Sequence, residues 1–214
     1  MEVELKFRIP NEATYIKLLD LFNNSNDAQF ISTDQQQNYF FDNTLHELEN
    51  QRTTFRLRRV FSTSESNEII KKLVMTMKGK HKKGKLENGI ARVGELEQVI
   101  ENADFDLMIT NPTSIPSFQS KYHVIPELLD ELSNQDISLT HKFENKRTIF
   151  KWKELKIEID ETQYTFGTAY EVEVEHHNPE KTKILLETFL RENDIPFSYS
   201  TRSKFGNMKA GSVL

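Results

Sequence analysis

Residues 2–9 alternate without exception: Val3, Leu5, Phe7 and Ile9 take every second place, and Glu2, Glu4, Lys6 and Arg8 take the others. A two-residue period sends successive side chains to opposite faces of a strand, so this segment has one apolar and one fully charged face. The pattern returns along the chain. In residues 53–60, Phe55 and Leu57 alternate with Thr54, Arg56 and Arg58. In residues 70–79, Leu73, Met75 and Met77 alternate with Val74, Thr76 and Lys78. Residues 90–100 carry Glu95 and Glu97 around Leu96, and residues 144–152 set Thr148, Phe150 and Trp152 against Arg147. Residues 155–162 pair Ile157 and Ile159 with Glu158 and Asp160, and residues 169–175 pair Tyr170, Val172 and Val174 with Glu171 and Glu173. With residues 36–42, through Tyr39, Phe40 and Phe41, these segments predict eight strands. Helical apolar spacing predicts helices over 12–22, 104–109, 122–132 and 180–192.

The short connections favour hairpins and antiparallel pairing. Eight two-faced antiparallel strands form either a sandwich or a closed barrel. Low Gly and Pro (7 and 6) with 15 Phe and 6 Tyr exclude a disordered chain, although hydrophobic residues reach only 36%. No linker or repeat divides residues 1–214, which read as one domain. The absence of cysteine excludes a disulfide framework, a thiolate zinc site and a cysteine nucleophile. No apolar run is long enough for a membrane span. The opening has neither a basic nor an apolar leader region, so a cytoplasmic protein, acting as a monomer, is expected. Lys+Arg number 28 against 33 Asp+Glu, a net charge of −5, which argues against a protein that coats nucleic acid.

The local charges say more than their sum. One solvated face of an antiparallel sheet needs no function. Here, however, neighbouring positions on one face repeat a sign: Glu2/Glu4, Lys6/Arg8, Arg56/Arg58, Glu95/Glu97 and Glu171/Glu173. Like charges two apart on one face repel each other, and a ligand that neutralises them removes the cost. Arginines and lysines suit the oxygens of a polyphosphate. Carboxylates suit a hard cation such as Mg²⁺ or Mn²⁺. The two sets together describe a metal–polyphosphate site. The basic run Lys80–Lys85 reads as a solvated loop, and His176-His177 as a loop-edge pair. No Walker A, HExxH or GxSxG pattern is present.

The same residues resemble a known family. Glu2-Val3-Glu4-Leu5-Lys6 resembles the ExExK signature of the CYTH superfamily, the triphosphate tunnel metalloenzymes. In the family's order follow Asn38-Tyr39-Phe40-Phe41-Asp42, Phe55-Arg56-Leu57-Arg58, Thr76-Met77-Lys78, Glu95-Leu96-Glu97, Glu158-Ile159-Asp160-Glu161, Tyr170-Glu171-Val172-Glu173 and Ser203-Lys204-Phe205. Within the family the chain resembles the small plant-type tripolyphosphatases, through its opening and through residues 160–167. One departure is Arg92. It lies three residues before Glu95 instead of two, with Gly94 between, and a β-bulge at Gly94 would restore its facing.

The resemblance implies an α+β fold: an eight-stranded antiparallel closed β-barrel with a charged interior and helices packed outside. It implies a metal-dependent hydrolase of inorganic tripolyphosphate, with thiamine triphosphatase, class IV adenylyl cyclase or a non-catalytic polyphosphate-binding module as alternatives. Lys6, Arg8, Arg56, Arg58, Lys78, Arg92, Arg147 and Lys204 would bind the triphosphate. Glu2, Glu4, Glu171 and Glu173 would hold Mg²⁺ or Mn²⁺ and orient water, Glu4 and Glu171 taking metal and Glu2 or Glu173 the water. Glu95, Glu97, Glu158 and Asp160 would either complete the metal shell or balance the basic residues.

Overall fold

The structure, a computed structural model, describes residues 2–63, 68–79 and 85–213. Strand β1 is Glu2–Ile9, as its alternation predicts. Pro10, which lacks an N–H, follows it, and Asn11 caps helix α1 (Glu12–Asn23) by accepting from the Thr14 N–H at 2.9 Å. The chain continues through β2 (Ala28–Asn43), α2 (Glu47–Asn50), β3 (Thr54–Thr63), β4 (Glu68–Lys78), β5 (Lys85–Glu87), β6 (Ile90–Val93) and β7 (Glu95–Val99). Helix α3 (Asn102–Thr110), a 3₁₀ segment (Pro112–Phe118) and α4 (Val124–Leu129) come next. Strands β8 (Ile137–Trp152), β9 (Leu155–Tyr164) and β10 (Gly167–Glu175) lead to α5 (Pro179–Glu192), β11 (Ser198–Tyr199) and α6 (Lys204–Ala210).

The chain forms two compact units. The first comprises residues 1–34, 85–92 and 145–214. Its strands run in the order β5-β6-β1-β10-β9-β8, with β11 also on β1. The apolar face of this sheet buries Leu5, Phe7, Ile9, Ile157, Ile159, Val172 and Val174 against Leu18 and Phe22 of α1 and Leu186 and Leu190 of α5. Each such side chain contributes roughly 1.5–3 kcal/mol by leaving water. The second unit comprises residues 35–84 and 93–144. Its order is β8-β2-β3-β4-β7. Phe55, Leu57, Leu73, Met75 and Met77 pack on Phe105 and Met108 of α3 and Val124, Ile125 and Leu128 of α4. In both units the apolar face lies under helices, so the charged face is the other one.

The expected count and closure need correction. Eleven strands are present among the described residues, and neither β5 nor β7 has a second strand neighbour. The eight-stranded closed barrel is therefore an open sheet. The break is at Gly94. The strand expected over 90–100 is two strands with different partners, β6 on β5 and β7 on β4. Gly94 does not act as a bulge within one strand: its carbonyl accepts from the Gly79 N–H at 2.8 Å. Gly79 sits at φ +106°, and a Cβ there would meet the Arg52 carbonyl oxygen at 2.5 Å, so this crossing requires glycine.

Candidate functional site

Strand register decides what the repeated like charges meet. In the first unit Lys6 lies opposite Glu173 and Arg8 opposite Glu171 across the β1–β10 pair. Across β10–β9, Glu171 faces Asp160 and Glu173 faces Glu158. The Lys6/Arg8 pair thus confronts the acidic pair Glu173/Glu171, which offsets its repulsion between strands, whereas Glu4 lies opposite Glu175 and Glu171/Glu173 opposite Asp160/Glu158, acid against acid. The Gly89 turn holds β1 in place: the Lys6 N–H donates to the Gly89 carbonyl at 2.7 Å.

The side chains close a buried network. Lys6 Nζ lies 2.9 Å from Glu4 and 2.6 Å from Glu173. Arg147, on β8, binds Glu158, places Nε and Nη2 on the two oxygens of Asp160 at 2.8 and 2.6 Å, and reaches Glu173 at 2.6 Å. Lys204, the first residue of α6, bonds to Glu173 and lies 2.7 Å from Asp160 and 3.3 Å from Glu171. Asn145 Nδ2 donates to Asp160 at 3.0 Å, and Ser200 Oγ donates to Glu171 at 2.9 Å. The carboxylates of Glu4, Glu158, Asp160, Glu171 and Glu173 are all buried.

Burial favours the neutral form of Glu173, Asp160, Lys204 and Lys6, and the opposing charges outweigh it. Burial alone would raise Glu173, yet Lys204, Lys6 and Arg147 hold it well below the usual carboxylate range. Asp160 is likewise lowered by Arg147 and Lys204 against its burial. Burial pulls Lys204 down, but Asp160, Glu173 and Glu171 keep it well above an ordinary lysine. Burial pulls Lys6 down too, and Glu173 and Glu4 reverse the direction. Tyr164, whose hydroxyl donates to the Lys204 carbonyl at 3.0 Å, is pushed up to about 12 chiefly by burial. Glu173, Asp160, Lys204 and Lys6 are therefore ionised near neutrality.

Two of its members are incompletely satisfied. Arg8 is an ion pair with Glu171 at 3.4 Å, but Nε, Nη1 and Nη2 are buried without a hydrogen-bond partner. Glu171 Oε2 is buried and accepts no hydrogen bond. A buried guanidinium with unused donors suits an anion, and a buried carboxylate oxygen with unused lone pairs suits a hard cation. The donor set, all carboxylate, fits Mg²⁺ or Mn²⁺.

In the second unit Arg56 Nη2 donates to Thr76 at 3.2 Å and lies 3.9 Å from Glu95. Arg58 Nε donates to Asn38 Oδ1 at 2.8 Å, its register partner on β2. Lys78 lies 3.0 Å from Glu95. Glu97 faces Thr76 in register but reaches Lys72 at 2.7 Å, both side chains being partly exposed. The structure brings Glu4, Lys6, Arg8, Arg147, Glu158, Asp160, Glu171, Glu173 and Lys204 together in one unit, and Arg56, Arg58, Lys78, Glu95 and Glu97 in the other. The side chains of Glu2 and Arg92 lie outside the described residues, as do residues 80–84 of the basic run. Arg92 itself sits on β6 opposite Lys85, in a different strand from Glu95.

Sequence reasoning missed Asn145, Ser200 and Lys72. Asn145 and Lys72 could have been found, since they fall two residues from Arg147 and Val74 on already charged faces. Ser200 follows a two-residue strand with no pattern to read. His176 is a structural residue: its Nδ1 accepts from the Asn178 N–H at 3.2 Å. Among the described residues, the His/Asp/Glu trio whose ligand atoms converge within 4.8 Å is Asp42, His46 and Glu49. There Asp42 is engaged in capping α2, accepting from the Leu48 and Glu49 N–H groups at 3.1 and 3.0 Å.

Comparison with known proteins places the family and the fold. The CYTH domain family matches residues 1–203. HpAC1 from Hippeastrum, provisionally named an adenylyl cyclase and described as revealing a dominant triphosphatase activity, is 32% identical, with TM-score 0.89 over 100% of this chain and 98% of that one. A protein from Bacillus halodurans, provisionally named an adenylate cyclase, shares the fold at 18% identity, with TM-score 0.68 over 96% of this chain and 95% of that one. A Pyrococcus horikoshii protein does so at 18% identity, with TM-score 0.60 over 98% and 99%. A search of curated proteins by sequence finds no match. No helix among the described residues is long and apolar enough to cross a membrane.

Proposed function

Since the chain belongs to the CYTH domain family, we propose that it is a divalent-metal-dependent triphosphatase whose substrate is inorganic tripolyphosphate. The observation that carries this reading is one buried cluster in which the Arg8 guanidinium makes no hydrogen bond beside Glu171, whose Oε2 accepts none either and has the Lys204 ammonium 3.3 Å away. The triphosphatase activity described for the Hippeastrum protein supports the reaction class.

In this reading Lys6, Arg8, Arg147 and Lys204 offset the charge of the phosphates and fix them for displacement. Arg56, Arg58 and Lys78 form the second unit's own anion-binding set, with Arg92 a further candidate. Glu4 and Glu171 hold the Mg²⁺ or Mn²⁺ ion, and Glu2 or Glu173 orients the attacking water. Glu158 and Asp160 keep Arg147 and Lys204 charged and in place. Bound at those carboxylates, the metal supplies Lewis-acid polarisation of phosphate oxygens. Water attacks the terminal phosphorus, the bridging P–O bond breaks, and phosphate and diphosphate leave. A carboxylate accepts the proton that water loses.

A substrate panel tests the assignment. Tripolyphosphate, thiamine triphosphate, ATP, GTP and longer polyphosphates are supplied with Mg²⁺ or Mn²⁺, and both phosphate and cyclic nucleotide are measured. Fastest phosphate release from tripolyphosphate is expected. Cyclic AMP as the main product would replace the reading with a cyclase, and binding without any product would replace it with a polyphosphate-binding module.

A further inference from the structure

The Glu171 carboxylate is held by a donor of a different kind from those on its neighbours. Glu173 takes hydrogen bonds from Lys6, Arg147 and Lys204, and Asp160 takes them from Arg147 and Asn145. Glu171, fully buried on β10, accepts one hydrogen bond among the described residues, from the Ser200 hydroxyl to Oε1 at 2.9 Å. The cations beside it stand off. Arg8 is 3.4 Å from Oε1 and Lys204 is 3.3 Å from Oε2, and neither makes a hydrogen bond to the carboxylate.

Ser200 is itself anchored to the first unit. It follows β11, whose Tyr199 lies opposite Phe7 of β1. The two rings are 5.8 Å apart between centroids, and the Tyr199 hydroxyl donates to Glu187 of α5 at 2.8 Å. Helix α5 is in turn seated by Leu186 and Leu190 in the apolar core. The Ser200 N–H donates to the Lys6 carbonyl at 3.3 Å, and the residue is only 3% exposed. Backbone pairing and packing thus fix the point from which the hydroxyl donates.

A glutamate carboxylate turns easily about its last torsion, which is broad and nearly two-fold. A hydrogen bond at Oε1 settles that torsion and leaves Oε2 without one. A hydroxyl also differs from an ammonium or a guanidinium in carrying no charge, so it orients the acid without cancelling the charge that draws a cation. We infer that Ser200 is a positioning residue that sets Glu171 to present Oε2 to the divalent ion. The inference rests on the metal reading of Glu171 above and goes beyond it by assigning the group that aims the ligand. Hydrogen-bond partners of metal ligands typically govern affinity by roughly 10–100-fold.

The test uses the full chain without substrate. Mn²⁺ affinity is measured by calorimetry for the wild type, Ser200→Ala, Ser200→Thr, Glu171→Gln and the double variant of Ser200→Ala with Glu171→Gln. Melting temperature is measured alongside in metal-free buffer. Ser200→Ala should weaken Mn²⁺ binding by about tenfold, while Ser200→Thr, which keeps the hydroxyl, stays near the wild type. In the Glu171→Gln background, Ser200→Ala should weaken binding no further, because the group it acts through is already changed. Unchanged Mn²⁺ affinity in Ser200→Ala, whatever its melting temperature, overturns the inference. So does an equal loss in Ser200→Thr, or an undiminished loss in the Glu171→Gln background. In each of these cases the metal reading stands if Glu171→Gln alone weakens binding. Wild-type affinity in Glu171→Gln, or no Mn²⁺ binding by the wild type, overturns both. Should Ser200→Ala fail to fold, Ser200→Cys replaces it, since a thiol is a weak donor, and the same outcomes decide.

Discussion

The two units present charged faces of different make-up. In the first, five buried carboxylates interlock with Lys6, Arg8, Arg147 and Lys204, and most cations touch several acids. In the second, Arg56 and Lys78 share Glu95, Arg58 rests on the neutral Asn38, and Glu97 is drawn off to Lys72 at a partly exposed edge. One face is rich in acids and dense; the other is predominantly basic. The difference teaches that charge count along a strand is a poor guide to role. The acid-rich face has the oxygen donors a metal requires, and the basic face has the cations an anion requires.

The largest consequence of this contrast is in stability. Asp160→Asn leaves Arg147 and Lys204 short of a buried counter-charge and should cost about 3–5 kcal/mol in urea unfolding. Glu95→Gln in the other unit should cost much less; equal losses would erase the distinction. Acid should act through the same carboxylates. Glu173 and Asp160 are held below their usual values of 4.5 and 3.8, so the unfolded chain takes up protons first as pH falls. Their stabilisation is present above about pH 4.5 and is lost as pH drops through the native values. Lys6 and Lys204 are raised above 10.5, so their share is intact below that pH and lost as pH climbs beyond it. Melting temperature should therefore plateau between these limits, and a maximum outside them contradicts the network.

Catalysis should separate the faces next. Glu171→Gln is expected to lower kcat by about 100-fold, a loss of roughly 2.7 kcal/mol in transition-state stabilisation. Arg58→Ala should instead raise KM by about tenfold with a smaller change in kcat, since a charged hydrogen bond is worth roughly 1.5–3 kcal/mol. The reverse pattern would exchange the roles of the two faces. The smallest effect belongs to Lys72→Met: an exposed ion pair contributes about 0–1 kcal/mol, and unfolding in urea should barely shift.

Much of this was legible in the sequence. Alternation in residues 2–9, 53–60, 155–162 and 169–175 located strands and assigned each side chain to a face, because period two depends only on backbone geometry. The family resemblance selected the charged residues, and nine of them gather in one unit. What alternation does not encode is which strand lies beside which. The register that sets Lys6 against Glu173 and Arg8 against Glu171 offsets the repulsion between Lys6 and Arg8. The split at Gly94 also escaped, since residues 90–100 read as one strand while their partners differ on either side of the glycine. The early part of β2 was missed because residues 28–35 lack alternation, and α6 because its seven residues offer no apolar stripe.

In the proposed function the acid-rich face of the first unit carries metal-dependent hydrolysis. Its most direct test is the initial rate of phosphate release from tripolyphosphate by the wild type and by Glu4→Gln, each with Mn²⁺ and with EDTA. Rapid release is expected only from the wild type with Mn²⁺. Release that persists in EDTA, or that Glu4→Gln matches, would contradict it.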